Sequence, residues 1–226
     1  MLPVPPPASI HYSIEAAYCP ALSPIVDDLR QLAQDHSRYG GKIPVVGIGG
    51  CPGVGKTYVT EILKKDLELR EVSCLVIHFD DWTNPPEKMH EHYFNLDGIH
   101  HFFAQIASGQ QVIQKPVVNE FTNARSEETV DLRHVDLILF EGLATITPLG
   151  EFNFAQYSER HILVDAAWEN ITEWKRARPC ATSHTEEEFT AHMELIKMFY
   201  DAYIIPFREQ AHWIIDKDAH HGYHLP

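Results

Sequence analysis

The chain has 226 residues, of which 44% are hydrophobic and 22% charged, and its formal net charge is -14. This length suits one α/β domain, and the acidic surface repels phosphate backbones, which argues against nucleic acid as a partner. No apolar run approaches the ~18 residues that a membrane-spanning helix needs, and no secretory signal begins the chain, so we expect a cytoplasmic protein without a membrane partner.

The first stretch of the chain is rich in proline. Residues 1–7 read MLPVPPP, which is too short and too rigid to fold alone. We therefore predict an N-terminal arm over residues 1–21 and a single domain over residues 22–226. Apolar residues at helical spacing predict the first helix from Leu22 to Arg38.

A glycine-rich segment then follows an apolar run. The run IPVVGIG leads into GCPGVGKT, which fits the phosphate-binding pattern G-x-x-x-x-G-K-[ST] between a strand and a helix predicted over 58–69. Lys56 would reach the β- and γ-phosphates, Thr57 would place its hydroxyl on Mg²⁺, and the helix beginning near Gly55 would direct its positive end at the anion. The residues that we expect to bind the nucleotide here are Gly50, Cys51, Pro52, Gly53, Val54, Gly55, Lys56, Thr57 and Tyr58. The same loop amides would stabilise a Cys51 thiolate, which suggests sensitivity to oxidation.

Acidic residues follow two further apolar runs. The run from Cys74 to Phe79 ends on Asp80 and Asp81, and the run VDLILFEG ends on Glu141. In an open α/β sheet the ligand crevice lies at the carboxyl ends of the strands, so we expect these acids beside the phosphates. Further strands are predicted over 160–165 and 211–216.

The remaining stretches complete the predicted order of elements. They indicate an irregular loop over 83–95, a helix over 96–108, a small hairpin-like insertion from 111–121 and 130–132 joined by the polar piece 122–129, and helices over 166–178 and 185–203. The first of these last two helices ends in a basic cluster of Lys175, Arg176 and Arg178. These cations could close over phosphates or merely complement the helix dipole.

Cysteines and histidines suggest no structural metal. The four cysteines have no CxxC spacing, which indicates reduced thiols, and none of the fifteen histidines shows the HExxH spacing. Solvated histidines are the simpler interpretation, and the C-terminal HHGYH is predicted to be a mobile tail.

Phosphoryl transfer needs positioning and charge neutralisation. Asp80 is placed to accept a proton from an attacking hydroxyl, and Thr57 with Asp80 or Glu141 could hold the metal. Aromatic residues could line the acceptor side or simply belong to the core. They are Trp82, Tyr93, Phe94 and Phe121.

The order of these motifs resembles the phosphoribulokinase/uridine kinase family over roughly residues 43–216. The motifs are GCPGVGKT, HFDDW, EFTNARSEET, FEGL and the basic lid stretch. The resemblance implies an α/β P-loop NTPase fold of three layers, with a five-stranded parallel sheet flanked by helices and a small lid at about 175–187. It implies an ATP·Mg²⁺ donor and a small-molecule hydroxyl acceptor. Related kinases often form dimers or tetramers, so a homo-oligomer is also possible for this chain.

The same resemblance implies roles for single residues. Asp80 takes the position of the catalytic base, Arg125 that of the acceptor-binding arginine, and Arg176 with Arg178 those of the lid cations. Uridine kinases have a histidine just before this arginine, whereas this chain reads Asn123-Ala124, which argues against uridine. A pantothenate-like, sugar phosphate, glycerate or other nucleoside acceptor stays open. The alternatives to a kinase are a non-catalytic nucleotide-binding regulator and a P-loop hydrolase that acts with a protein partner.

Overall fold

A central sheet organises the molecule. The computed structural model describes residues 19–39, 42–85, 87, 93–119, 122, 124–177 and 185–226. Six strands of this sheet are β1 (Val45–Gly50), β2 (Cys74–His78), β5 (Leu137–Glu141), β8 (Arg160–Ala166), β9 (Trp213–Lys217) and β10 (Tyr223–His224). They lie in the order β10-β9-β8-β1-β5-β2. All neighbours are parallel except β9 and β10, which are antiparallel.

Two small antiparallel ribbons lie outside the central sheet. The first pairs β3 (Val112–Val118) with β4 (Arg125–Asp131), and the second pairs the two-residue strands β6 (Pro148–Leu149) and β7 (Phe152–Asn153). The β3–β4 ribbon is the predicted insertion. The larger ribbon carries Arg125, one of the predicted site residues, at the start of β4.

Helices cover the sheet. They are α1 (Ser23–Tyr39), α2 (Lys56–Leu69), α3 (Leu96–Ala107), α4 (Trp168–Arg176) and α5 (Glu186–Phe199), and short 3-10 turns occur at Pro20–Leu22, Phe79–Trp82, Phe154–Tyr157 and Ile205–Gln210. Two of these helices begin at side-chain caps. Asn95 accepts from the amide of Gly98 at the start of α3, and Thr185 and Glu188 form a capping box at the start of α5.

The core divides into two clusters on opposite faces of the sheet. Successive side chains of a strand point to opposite faces, so Val46 and Ile48 of β1 pack in one cluster and Val45 packs in the other. The first cluster contains the apolar faces of α1, α2 and α5, and the second contains α3 and residues of the β3–β4 ribbon. The three-layer architecture that the sequence predicts is confirmed, with five parallel strands and one further antiparallel strand at the edge.

Three details differ from the sequence-based expectations. Residues 125–129, predicted to be part of a polar connection, are strand β4, which pairs with β3 from Val118↔Arg125 to Val112↔Asp131. The last predicted helix ends at Phe199 and continues as a π-helical turn, Tyr200–Ile204. The C-terminal HHGYH is not a free tail, because β10 pairs with β9 through Tyr223↔Lys217 and His224↔Asp216. The predicted proline-rich arm lies almost entirely outside the described residues.

Candidate active site

The phosphate-binding loop connects β1 to α2 as predicted. A Cβ atom on Gly50 would lie 2.3 Å from the carbonyl oxygen of Val164, so no side chain fits there. Gly55, which precedes the first residue of α2, has φ +104, a conformation that favours glycine. The backbone therefore turns tightly into the N-terminus of α2, where unpaired amides and the helix dipole favour an anion.

Three lysines surround this loop. Lys56 Nζ donates to the carbonyl oxygen of Cys51 at 3.3 Å, and Lys217 Nζ donates to the carbonyl oxygen of Val54 at 3.2 Å. The aliphatic stem of Lys175 packs on Gly53, since a Cβ on that glycine would lie 2.8 Å from Lys175 Cγ. The loop thus concentrates positive charge in a protein whose net charge is -14. Sequence motifs indicate Lys56 and Lys175 but not Lys217, which comes from the far end of the chain.

Thr57, Glu141 and His78 meet where β2 and β5 end. Thr57 Oγ1 donates to Glu141 Oε1 at 3.3 Å, and His78 Nδ1 lies 2.6 Å from the same oxygen. His78 and Glu141 are register partners on the parallel strands β2 and β5, which explains why their side chains meet. Glu141 is only 6% exposed, so this carboxyl group depends on protein partners instead of water.

The ionisation of this pair follows from its contacts. Burial alone would raise the pKa of Glu141, but the hydrogen bond from His78 and the charge of Lys56 outweigh burial and hold the pKa below its ordinary value. Burial alone would lower the pKa of His78, but the hydrogen bond to Glu141 and its charge outweigh burial and raise the pKa above its ordinary value. Because an ionised carboxylate only accepts hydrogen bonds, His78 Nδ1 is the donor.

The oxygen atoms of Thr57 and Glu141 suit Mg²⁺. Mg²⁺ prefers oxygen ligands and is usually held by one or two protein groups together with substrate phosphates and water. The described residues contain no group of three or more His, Cys, Asp or Glu that could hold a metal alone. A hydroxyl and a carboxylate beside the phosphate loop fit a metal that arrives with a nucleotide, and they do not resemble a structural metal site.

The acids after β2 have different environments. Asp80 and Asp81 both lie in the 3-10 turn that begins directly after β2. Asp80 is exposed, whereas Asp81 is buried. Asp81 accepts from Lys115 Nζ at 2.7 Å and from the amide of Val118 at 3.2 Å. Asp81 therefore fastens β3 to the turn that carries Asp80.

The predicted acceptor residues Arg125 and Tyr93 lie next to the same turn. The guanidinium of Arg125 donates to the carbonyl oxygen of Thr83, and the amide of Asn84 donates to the carbonyl oxygen of Tyr93 at 2.8 Å. Tyr93 is 58% exposed, so its ring is available to a ligand. Asp80, Arg125 and Tyr93 are thus connected through the backbone at Thr83 and Asn84.

Other predicted site residues lie elsewhere or outside the described residues. The ring of Trp82 is 3% exposed and packs on Phe102, so we leave Trp82 out of the proposed acceptor site. Arg176 pairs with Glu186 at 2.6 Å and stacks on Phe189 at 4.4 Å, at the point where α4 meets α5. Phe121 and Arg178 fall outside the described residues, as does 178–184 of the predicted lid.

The expectation that Cys51 forms a stabilised thiolate is wrong. Its side chain is fully buried in the core, and burial, opposed only partly by Lys56, raises the pKa of the thiol to about 12. The Cys51 sulfur therefore belongs to the core and is not a reactive thiolate.

Asp165, near the end of β8, is also buried. It accepts hydrogen bonds from Tyr200 and Arg208 and so has a structural role.

Comparisons with known proteins agree with this architecture. A relative, uridine-cytidine kinase B from Dictyostelium discoideum, is 24% identical over 188 residues, which cover 77% of this chain and 75% of the relative. The structure of D-glycerate 3-kinase from Cryptococcus neoformans var. grubii matches with a TM-score of 0.65 and 14% identity over 88% of this chain and 97% of that one. Phosphoribulokinase from Rhodobacter spheroides matches with a TM-score of 0.60 and 14% identity over 78% of this chain and 71% of that one. No protein-family profile matches the chain.

The fold and the phosphate-binding loop are similar to those of P-loop kinases. The sequence relative, like the order of the motifs, supports the expected resemblance to the phosphoribulokinase/uridine kinase family of P-loop kinases. Within the described residues, no helix has the length and apolar character needed to cross a bilayer.

Proposed function

We propose that this protein transfers the γ-phosphoryl group of ATP to a hydroxyl group of a small metabolite. The observation that carries the proposal is the contact between Thr57, at the start of α2, and Glu141, at the end of β5. This contact joins the phosphate-binding loop to a buried carboxylate, which is the arrangement that an ATP·Mg²⁺ donor requires.

On the donor side, the loop amides and the three lysines would hold the phosphates. Lys56 is the charge expected to reach the β- and γ-phosphates, and Lys175 is the lid residue whose stem already contacts the loop. We assign Mg²⁺ to Thr57 and Glu141, with Asp80 as a further candidate ligand. The metal would neutralise the charge that develops on the transferred group.

On the acceptor side, Asp80 would accept the proton of the attacking hydroxyl. Its exposed side chain in the turn directly after β2 supports this role, and Arg125 and Tyr93 border the same turn. Arg125 would bind an anionic or polar part of the acceptor, and Tyr93 offers an aromatic face. These residues favour a polar metabolite with at least one free hydroxyl group.

Several chemical classes of metabolite are compatible with the acceptor side. The relatives include kinases named for uridine and cytidine, for D-glycerate and for a ribulose phosphate, so the shared fold does not choose between nucleosides, sugar acids and sugar phosphates. Just before Arg125 the chain reads Asn123-Ala124, whereas uridine kinases have a histidine there, which disfavours uridine. A pantothenate-like acceptor is also compatible with these residues.

A coupled assay of ADP release tests the proposal. The purified chain is incubated with ATP and Mg²⁺ and with each of a panel of acceptors: nucleosides, pantothenate, glycerate and pentose phosphates. Asp80→Asn should lower kcat about 10²- to 10⁴-fold with the true acceptor, because it removes the general base, and should leave ATP affinity within twofold. Asp201→Asn is the matched control, since Asp201 is an exposed acid that pairs with Lys197 on the surface.

The outcomes separate the alternatives. Near-full turnover of Asp80→Asn would contradict the assignment of the base. ATP binding without turnover on any acceptor would favour a non-catalytic regulator, and ATP hydrolysis that depends on an added protein would favour a P-loop hydrolase. Lys56→Ala should weaken both ATP binding and transfer in every case in which the loop holds the nucleotide.

A further inference from the structure

His78 lies beside the candidate site, but the proposed function gives it no role in binding the phosphates or in accepting the proton. It is the last residue of β2, and its Nδ1 lies 2.6 Å from Glu141 Oε1, closer than Thr57 Oγ1 at 3.3 Å. The side chain of His78 is 38% exposed, whereas that of Glu141 is 8% exposed. A half-exposed imidazole is thus the nearest partner of the buried carboxylate beside the loop.

His78 and Thr57 both hydrogen-bond to the same oxygen of Glu141. Within the described residues, Oε1 receives His78 and Thr57, and no hydrogen bond is formed by Oε2. A carboxylate held on one oxygen has a fixed orientation and presents its other oxygen in one direction. The longer Thr57 contact alone would leave more freedom for rotation, since a hydrogen bond weakens beyond its usual distance.

We propose that His78 is a positioning residue that orients Glu141 for the Mg²⁺ that accompanies the nucleotide. The proposal rests on the proposed function, because it assumes that Glu141 meets a nucleotide-bound metal. His78 acts through Glu141 and does not itself touch the metal or the phosphates. Hydrogen-bond partners of metal ligands typically change metal affinity or activity about 10- to 100-fold when they are removed.

Two substitutions at one position separate positioning from packing. His78→Leu removes the donor and keeps an apolar side chain of similar size, whereas His78→Asn keeps a donor at the place of Nδ1, because both nitrogens are bonded to Cγ. At one fixed pH, a fluorescent non-hydrolysable ATP analogue is bound to each variant while Mg²⁺ is titrated. The affinity of each variant for the analogue in EDTA is the internal control for folding and for the phosphate loop.

The expected result is a selective change in the response to Mg²⁺. His78→Leu should raise the Mg²⁺ concentration for half-maximal binding about 10-fold or more, with affinity in EDTA within twofold of the unsubstituted chain, and His78→Asn should restore most of the response. In a Glu141→Gln background, His78→Leu should change the response less than twofold, because the contact that it removes is already altered.

Several results would overturn the inference. These are an unchanged Mg²⁺ response in His78→Leu, equal responses in the Leu and Asn variants, and a full effect of His78→Leu in the Glu141→Gln background. A general loss of nucleotide binding in EDTA by both His78 variants would also count against positioning and would indicate a packing role. The readout needs no acceptor, so absence of kinase turnover would refute the proposed function while leaving this measurement interpretable.

Discussion

The buried ion pair between Asp81 and Lys115 should control the attachment of the β3–β4 ribbon. The two side chains are only 8% and 7% exposed, and Asp81 also accepts from the amide of Val118. Lys115→Met would leave the Asp81 carboxylate buried with that amide as its main partner. Removing one member of a buried pair costs about 3–5 kcal/mol, so we expect a loss of that size in the free energy of unfolding.

The opposite substitution should cost less. In Asp81→Asn, Lys115 keeps Glu128, whose oxygen lies 3.5 Å from Nζ and which is largely exposed, so we expect the lower end of the range, about 3 kcal/mol. The double variant carries no buried unpaired charge, because Glu128 is largely exposed, and its asparagine can still accept from Val118. We expect it to lie within about 2 kcal/mol of the unsubstituted chain, which makes the two changes non-additive by about 4 kcal/mol or more.

Urea unfolding and hydrogen exchange provide the measurements. Urea midpoints give the global free energy of unfolding, and exchange at the Val118 amide reports on the ribbon itself. Lys64→Met is the matched control, because its 4.0 Å pair with Glu68 lies on the surface and should contribute less than about 0.5 kcal/mol. A Lys115→Met variant that changes neither measurement more than this control does, or a double variant worse than the sum of the singles, would refute the reasoning.

Two further predictions concern turns. Glu71, two residues after the end of α2, has φ +64, so Glu71→Gly should raise the free energy of unfolding by about 0.5–1 kcal/mol. Urea unfolding measures this, and a lowered midpoint would contradict it. Asp218 accepts from His224 and from the amides of Gly222 and His220, and these bonds lower its pKa to about 2. Its stabilisation of the β9–β10 turn should be complete above about pH 4 and lost as the pH falls through about 2. An NMR titration should find a carboxyl pKa that rises in His224→Asn, whereas an unchanged value would show that the His224 contact is unimportant.

The parts of the fold that local patterns determine could be predicted from the sequence. The phosphate loop requires glycines, a lysine and a hydroxyl residue at fixed spacing, and each parallel strand of the sheet is an apolar run of its own. Predicted and observed ends agree within a few residues for β1, β2, β5, β8 and β9. Glu141 could be placed at the edge of the sheet for the same reason, since it directly follows its strand's apolar residues.

The elements that were missed lack an apolar pattern. All residues of β4 except Val130 are exposed, so no alternation distinguishes this strand from a loop, and its backbone is ordered only by pairing with β3. The same holds for the two-residue strand β10, which depends on pairing with β9. In both cases the strand is held by backbone hydrogen bonds to its neighbour, which an apolar sequence pattern does not reveal.

The candidate site was predicted where its residues are close in sequence and missed where a distant contact defines the role. Asp80 and Asp81 are neighbours and look equivalent in the sequence, yet Lys115, 34 positions later, makes Asp81 structural and leaves the exposed Asp80 as the candidate base. His78 could have been predicted as a partner of Glu141 if β2 and β5 had been known to be neighbours, because the last residues of neighbouring parallel strands lie side by side. The missing information was the order of the strands, since only the adjacency of β2 and β5 brings His78 to Glu141.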